Sequence, residues 1–164
     1  MNDQPTWYVL HVRPRCEKKM ADYCAAHAIE HYLPLREETK IYQRRRVLVQ
    51  KPVFPSYVFI LFGAEERALV LKSNVIVRIL DVLDQARLVR ELAQVRKALE
   101  VDPTLKAYSA LKHGQAVRIE EGPFQGLEGI VQTLKGRTRV LLNVEMVGQA
   151  VAVEVDVEML EVLD

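Results

Sequence analysis

The sequence has 164 residues, 49% hydrophobic and 27% charged, enough for one ordinary domain or two small ones and too apolar for a disordered chain. No stretch approaches the roughly 18 uninterrupted apolar residues of a membrane helix, and the start MNDQPTWYVLHV has no basic region before an apolar core, so a cytoplasmic protein with no membrane partner is expected. The net charge of +1 conceals a split: residues 1–100 carry 17 Lys+Arg against 12 Asp+Glu, residues 101–164 only 6 against 10, so the two parts should meet different partners.

The chain opens on WYVLHV (7–12), a short aromatic and β-branched run that predicts a strand. Pro14 suits a first helical turn, and Cys16, Met20, Tyr23, Cys24 and His27 recur on one face, which predicts an amphipathic helix over about 14–28. Eight residues apart on that helix, Cys16 and Cys24 would lie roughly 12 Å from each other, too far for a disulfide. YLPL (32–35) and IYQRRRVLV (41–49) read as extended segments around a charged hairpin or loop, with Pro34 favouring an edge. SYVFILF (56–62) is the strongest strand signal. A helix over 64–72, a strand IVRILDV (76–82) and a helix over about 87–100, with Leu88, Leu92, Val95 and Leu99 on one stripe, complete this part. The order β-α-β-β-α-β-α predicts an α+β fold with a split βαβ sheet and helices on one face.

Residues 101–110 carry no period and one proline, so they read as a linker between a first domain over 1–100 and a second over 111–164. The second is strands only. Val117 and Ile119 alternate with Arg118 and Glu120, GPFQG (122–126) is a turn, and LEGIVQTL, RTRVLLNV and AVAVEVDV follow with glycine turns between them. Val151, Val153, Val155 and Val157 alternate with Ala152, Glu154, Asp156 and Glu158, one row buried and one wet. Gly129, inside a strand, marks a bulge or a close approach. About 54 residues of short strands predict a small closed barrel, because an open sheet of that size leaves unprotected edges.

Four segments carry a resemblance: WYVLHV with its following helix, YLPLREE, FPSYVFILF in the place of a Phe-Pro-Gly-Tyr-Val strand, and GQAVRIEEGPFQGLEGIV, which is similar to a KOW motif. In this order they resemble the NusG family of transcription elongation and antitermination factors over essentially the whole chain. The resemblance implies an N-terminal NusG domain (ferredoxin-like) that binds the clamp coiled coil of the largest RNA polymerase subunit, and an SH3-like KOW barrel that recruits another factor.

In an extended strand Phe54, Ser56, Val58 and Ile60 face one way and Pro55, Tyr57 and Phe59 the other, so a sheet covered on one side only leaves one row exposed. The competing expectation is that both rows are core. The resemblance places the polymerase helices on Phe54, Pro55, Tyr57 and Phe59, with His11 of the first strand beside them. Arg44, Arg45 and Arg46, with Lys40 and Lys51 nearby, form a basic group suited to phosphates of upstream duplex or displaced non-template DNA. Arg13, Arg15, Lys18 and Lys19 form a second, where relatives of the RfaH type read single-stranded DNA. Basic runs on hairpins are equally often only solvated faces.

In housekeeping members the last barrel loop resembles Met-Phe-Gly-Arg, whose aromatic meets the termination factor Rho or a small-subunit ribosomal protein. Here Met146-Val147-Gly148-Gln149 keeps an apolar tip for a partner but lacks the aromatic and the arginine, which weakens both partnerships and favours a specialised, operon-specific paralogue. Val-rich strands favour a barrel over a helical alternative for this segment.

Cys24, His27 and His31 have no fourth ligand, no Gly-rich phosphate loop or Gly-x-Ser-x-Gly is present, and the four histidines pair with no acid and nucleophile. No cofactor, metal or enzymatic activity is expected. The alternative is an RNA-binding or ribosome-associated KOW protein that does not bind polymerase, which would need a basic groove on the barrel and a fully buried aromatic row.

Overall fold

A computed structural model describes residues 4–164. They divide into two units, one formed by the chain up to Pro34 with Phe54–Ala86, the other by Leu35–Val53 with Arg87–Asp164.

In the first unit, strands β1 (Thr6–Val12), β2 (His31–Tyr32), β5 (Tyr57–Phe62) and β6 (Ile76–Asp81) form a sheet in the order β2-β5-β1-β6. Each neighbouring pair runs antiparallel. Helices α1 (Glu17–Ala26) and α2 (Arg67–Leu71) supply the apolar cover of one face. Met20 and Cys24 of α1 and Val70 of α2 pack with Leu10, Val12, Val58, Ile60 and Phe62 in one cluster. Burying each of its large apolar side chains contributes about 1.5–3 kcal/mol. The split βαβ arrangement expected from the sequence is the one observed.

The boundaries shift for identifiable reasons. The first helix was expected over 14–28 but starts at Glu17, because Arg15 is in the left-handed region at φ 65° and ends the extended entry one turn later. Pro14 therefore precedes the helix, and His27, expected on its buried stripe, is exposed beyond its end, Nδ1 donating to the Tyr23 carbonyl. Only Arg67–Leu71 of the 64–72 segment is α-helical, after a single 3-10 turn at Ala64–Glu66.

In the second unit, β3 (Leu35–Tyr42) and β4 (Arg45–Pro52) pair as an antiparallel ribbon, joined at Gln43 and Arg44. The reversal falls inside the run IYQRRRVLV that was expected to be one extended segment. Both turn residues have positive φ, 48° and 64°, the geometry of a tight primed hairpin turn. That turn ordinarily selects Asn-Gly, so Gln-Arg gave no signal for it.

Helix α3 (Gln85–Val101) follows, with Leu88, Leu92, Val95 and Ala98 buried. After it, β7 (Ala107–Ser109), β8 (Ala116–Ile119), β9 (Glu128–Leu134), β10 (Arg137–Val144), β11 (Gln149–Glu154) and β12 (Leu160–Val162) build the SH3-like barrel in the order β12-β8-β9-β10-β11-β7. Residues 101–110 are thus not wholly linker, because Ala107–Ser109 adds a strand to the β11 edge. The alternation expected through Val157 stops at Glu154: Val151, Ala152 and Val153 are all buried, and Val157 is exposed in a 3-10 turn. Gly129 is a close approach, as expected, since a Cβ there would collide with the carbonyl oxygen of Leu141 on β10.

Candidate partner interface

The segment Phe54-Pro55-Ser56-Tyr57 is a β-turn rather than the start of a strand. Tyr57 N donates to Phe54 O at 3.2 Å. Proline takes the second position and Ser56 the third at φ 72°, which is the type II pattern. A glycine usually sits there, which accounts physically for the Phe-Pro-Gly-Tyr-Val form that this stretch resembles. Ser56 is held instead from two sides: its N–H donates to Glu17 Oε2 at 2.8 Å, and its carbonyl accepts from Val12 N at 2.8 Å. Glu17 is one of two buried charged residues among those described and sits at the start of α1, where the helix dipole also favours a carboxylate.

The turn re-aims the row. Pro55 is exposed and Tyr57 half-buried, but Phe54 is 1% and Phe59 0% exposed. The expectation of an exposed aromatic row is therefore corrected for these two residues. Phe54 lies outside the strand and turns back, its ring edge-on to Phe59 at 6.3 Å, so the pair packs together instead of standing in solvent. Register places His11 opposite Tyr57, their rings stacked at 5.3 Å, and Arg78 of β6 opposite His11. An ordered row Tyr57-His11-Arg78 thus crosses three strands, with Pro55 at its end. Sequence reasoning missed Arg78, because only the antiparallel register of β1 and β6 brings it there.

Arg13, Arg15, Lys18 and Lys19 are all exposed. They belong to the same end of the sheet, since Val12 and Glu17, close to them in the chain, are the residues that bind Ser56. The structure therefore joins the first basic group to the Pro55–Tyr57 turn. Arg44, Arg45 and Arg46 are exposed around the reversal of the β3–β4 ribbon in the other unit.

In the second unit, Met146 and Val147 form a 3-10 turn between β10 and β11, with Gly148 closing it at φ 64°. Met146 is half-buried and Val147 only 9% exposed, so the valine is no free apolar tip. Helix α3 engages the same turn: Arg87 Nη1 lies 2.6 Å from Glu145 Oε2, and the Glu145 N–H donates to the buried Glu91 carboxylate at 3.4 Å. One turn further on, Gln94 donates to Glu128 O and accepts from Glu128 N, acting as a strand edge would, and Lys97 donates to Gln125 O. Burial pushes the Glu91 carboxyl above its usual range, opposed by the Glu145 N–H and by Arg87.

Two of the barrel's cations are paired with carboxylates, while Lys106, Lys135 and Arg139 line a second groove beside Tyr108. Arg118 has Glu128 at 2.8 Å, Glu161 at 3.5 Å and Glu120 at 3.8 Å, and Arg137 has Glu154 at 3.5 Å. A groove of about 720 Å³ at the barrel end includes Glu121, Glu154, Asp156 and Glu158 with Phe124 and Met159 in its lining. Arg137, paired with Glu154, is the one cation in this lining, so the excess of carboxylates disfavours phosphate there. Cys24 is buried on the α1 face with its thiol pushed up to about 11, which suits a core side chain.

A split βαβ sheet followed by an SH3-like barrel is the architecture of the NusG class of transcription factors. A family model described as Transcription termination factor nusG matches residues 5–102, more than half of the chain, and the chain belongs to that family. Curated relatives include the transcription termination/antitermination proteins NusG of Rickettsia prowazekii (strain Madrid E) and Rickettsia typhi (strain ATCC VR-144 / Wilmington). Each is 24% identical over 174 residues, covering 94% of this chain and 88% of the relative. A solved structure described as Domain interaction in Thermotoga maritima NusG covers 98% of both chains at 18% identity and a TM-score of 0.55, a likeness of fold. By family the protein is thus one of the NusG class of transcription factors. Among the described residues no helix is long and apolar enough to cross a membrane.

Two consequences can be measured. A left-handed conformation costs a non-glycine residue roughly 1–2 kcal/mol, and glycine's extra freedom in the unfolded chain returns about 0.4–1 kcal/mol of this. Ser56→Gly should therefore leave stability unchanged or raise it by up to about 1 kcal/mol in denaturant unfolding, whereas a clear loss would contradict the turn geometry. Glu91, with its pKa raised on folding, adds most stability below the unfolded carboxyl value of about 4.3 and loses it as pH rises through the raised value. Glu91→Gln should accordingly gain in melting temperature relative to wild type as pH rises above the unfolded carboxyl value of about 4.3. A difference that stays constant over that range would contradict the burial of this group.

Proposed function

We propose that this chain is a transcription elongation and antitermination factor that binds the clamp coiled coil of the largest RNA polymerase subunit through the Pro55–Tyr57 turn, reducing pausing or termination. The observation that carries this reading is the joining, at one end of one sheet, of the exposed Pro55, the stacked Tyr57 and His11, and four exposed cations. An aromatic and an imidazole on rigid strands suit a helix surface, because aromatic anchors lose little entropy on docking. Phe59 shares the face of Tyr57 on β5 with Phe54 packed edge-on to it beside that patch, and Arg13, Arg15, Lys18 and Lys19 extend it toward non-template or upstream DNA.

In this reading residues 1–100 carry the polymerase-binding surface, and the barrel, to which Ala107–Ser109 adds a strand, is the KOW domain that recruits another factor through a surface other than the covered Val147. The acidic groove favours a protein partner on that side of the barrel, whereas a second groove lined by Lys106, Lys135, Arg137 and Arg139 beside the exposed Tyr108 keeps an RNA-binding role as the second reading. The absence of an aromatic and an arginine in Met146-Val147-Gly148-Gln149 argues against Rho and the ribosomal protein as that partner, and supports a specialised paralogue acting in the cytoplasm.

Binding of the full chain to its cognate core RNA polymerase tests this reading. Truncating a fully buried Phe typically costs 3–5 kcal/mol of stability, so Phe54 and Phe59 are poor probes and Tyr57 is the better one. Tyr57→Ala should keep its thermal melt within a few degrees and bind at least about tenfold more weakly, the loss expected of an interface aromatic. Added clamp coiled coil should compete with the polymerase for the wild-type chain. Unchanged affinity of a folded Tyr57→Ala chain, or no competition, would sink the assignment.

A further inference from the structure

Two grooves of opposite charge lie side by side on the barrel. The acidic one has Glu121, Asp156 and Glu158 in its lining beside Phe124, Val157 and Met159. The other, of about 780 Å³, has Lys106, Lys135 and Arg139 beside Tyr108 and Leu134. Arg137 and Glu154 line both, so the ion pair they make at 3.5 Å is the wall between the two. Away from that wall, Glu121, Asp156 and Glu158 on one side and Lys106 and Lys135 on the other are exposed and make no ion pair among the described residues. Four large hydrophobic side chains are exposed between the start of β7 and the end of β12, and Tyr108 at 43%, Leu134 at 52% and Val157 at 62% are three of them. All three belong to these linings. Exposed apolar side chains gathered among unpaired charges suit an interface better than a solvated face.

We infer that this face of the barrel pairs with the same face of a second copy of the chain, the acidic groove of each copy against the basic groove of the other. When two copies meet face to face about a two-fold axis that runs along the wall, whatever lies on one side of it meets what lies on the other. A face divided into an acidic and a basic half is therefore complementary to itself, and both contacts form together. The same operation brings Val157 of each copy to the groove that holds Tyr108 and Leu134, so apolar area is covered along with charge. Other occupants satisfy half of the face. A phosphate backbone suits Lys106, Lys135 and Arg139 but is repelled by the carboxylates across the wall, and a basic peptide meets the reverse. The pairing goes beyond the polymerase reading and does not depend on it, since the Pro55–Tyr57 turn belongs to the other unit.

Sedimentation equilibrium of the full chain at low salt tests the pairing. Lys106→Glu with Lys135→Glu reverses the net charge of the basic groove, and Glu121→Lys with Glu158→Lys reverses that of the acidic one. All four lie at exposed positions, and melting curves check the fold. Wild type should form a dimer and nothing larger. Added salt should weaken it, because the screening length falls from about 10 Å at 0.1 M to about 3 Å at 1 M. Each double variant alone should dimerise at least about tenfold more weakly. Mixed in equal amounts, the two variants should dimerise with each other, because two acidic grooves then face two basic ones; a variant with a damaged fold would not be rescued in this way. A wild-type chain still monomeric at about 100 μM overturns the inference. So do open assemblies larger than a dimer, a loss in only one of the two variants, or no recovery on mixing. If the chain stays monomeric but binds a labelled single-stranded RNA, and Lys106→Glu with Lys135→Glu abolishes that binding, the basic groove serves RNA and the inference falls.

Discussion

The hold of Glu17 and Val12 on Ser56 is the constraint on which the candidate interface depends. Serine has no intrinsic preference for φ 72°, so the conformation persists because its N–H and carbonyl are both engaged, one by a buried carboxylate at the start of α1 and one by the end of β1. Hydrogen bonds to a charged group contribute about 1.5–3 kcal/mol, enough to offset the left-handed strain. The same contacts fix α1 against the strand ends, set Tyr57 opposite His11, and put the cations of the entry to α1 beside them. A single short turn thereby decides which side chains of an apolar stretch are surface and which are core.

That division also marks how far the sequence could be read. SYVFILF and WYVLHV announced their strands because β-branched and aromatic runs have few alternatives, and the faces of β5 alternate as period 2 requires, with Val58, Ile60 and Phe62 on the α1 side. Periodicity names faces but not what covers them, so the burial of Phe54 and Phe59 was not legible. The ribbon turn at Gln43 and Arg44 and the left-handed Arg15 and Ser56 escaped for one reason: each uses a residue without a turn preference where glycine or asparagine would have given a signal. Strand β7 escaped because three residues have no period, and its strand character comes only from pairing with β11. Of the candidate site, the aromatic and basic residues were visible one by one, whereas their grouping at one end of a sheet, and Arg78 among them, needed the register.

The charge split seen in the sequence takes a physical form in the second unit. Arg118 and Arg137 of the barrel are neutralised by neighbouring carboxylates, and the barrel-end groove keeps its acidic side chains. The β3–β4 ribbon, by contrast, carries Arg44, Arg45 and Arg46 in the open around its tip. One surface repels phosphate and the other attracts it, although they belong to the same unit of the fold. The turn at Met146 and Val147 is drawn in by α3 through Arg87 and Glu91, which explains why an apolar tip that reads as a contact point in the sequence is buried.

The most direct test of the account is single-round transcription by the cognate RNA polymerase on a template with a defined pause and an intrinsic terminator, with the full chain added at increasing concentration. The account predicts shorter pauses or greater read-through in the presence of the chain, with folded Tyr57→Ala requiring at least about tenfold more protein for the same effect. Pause duration and read-through that stay unchanged at saturating concentrations of the folded chain would contradict it.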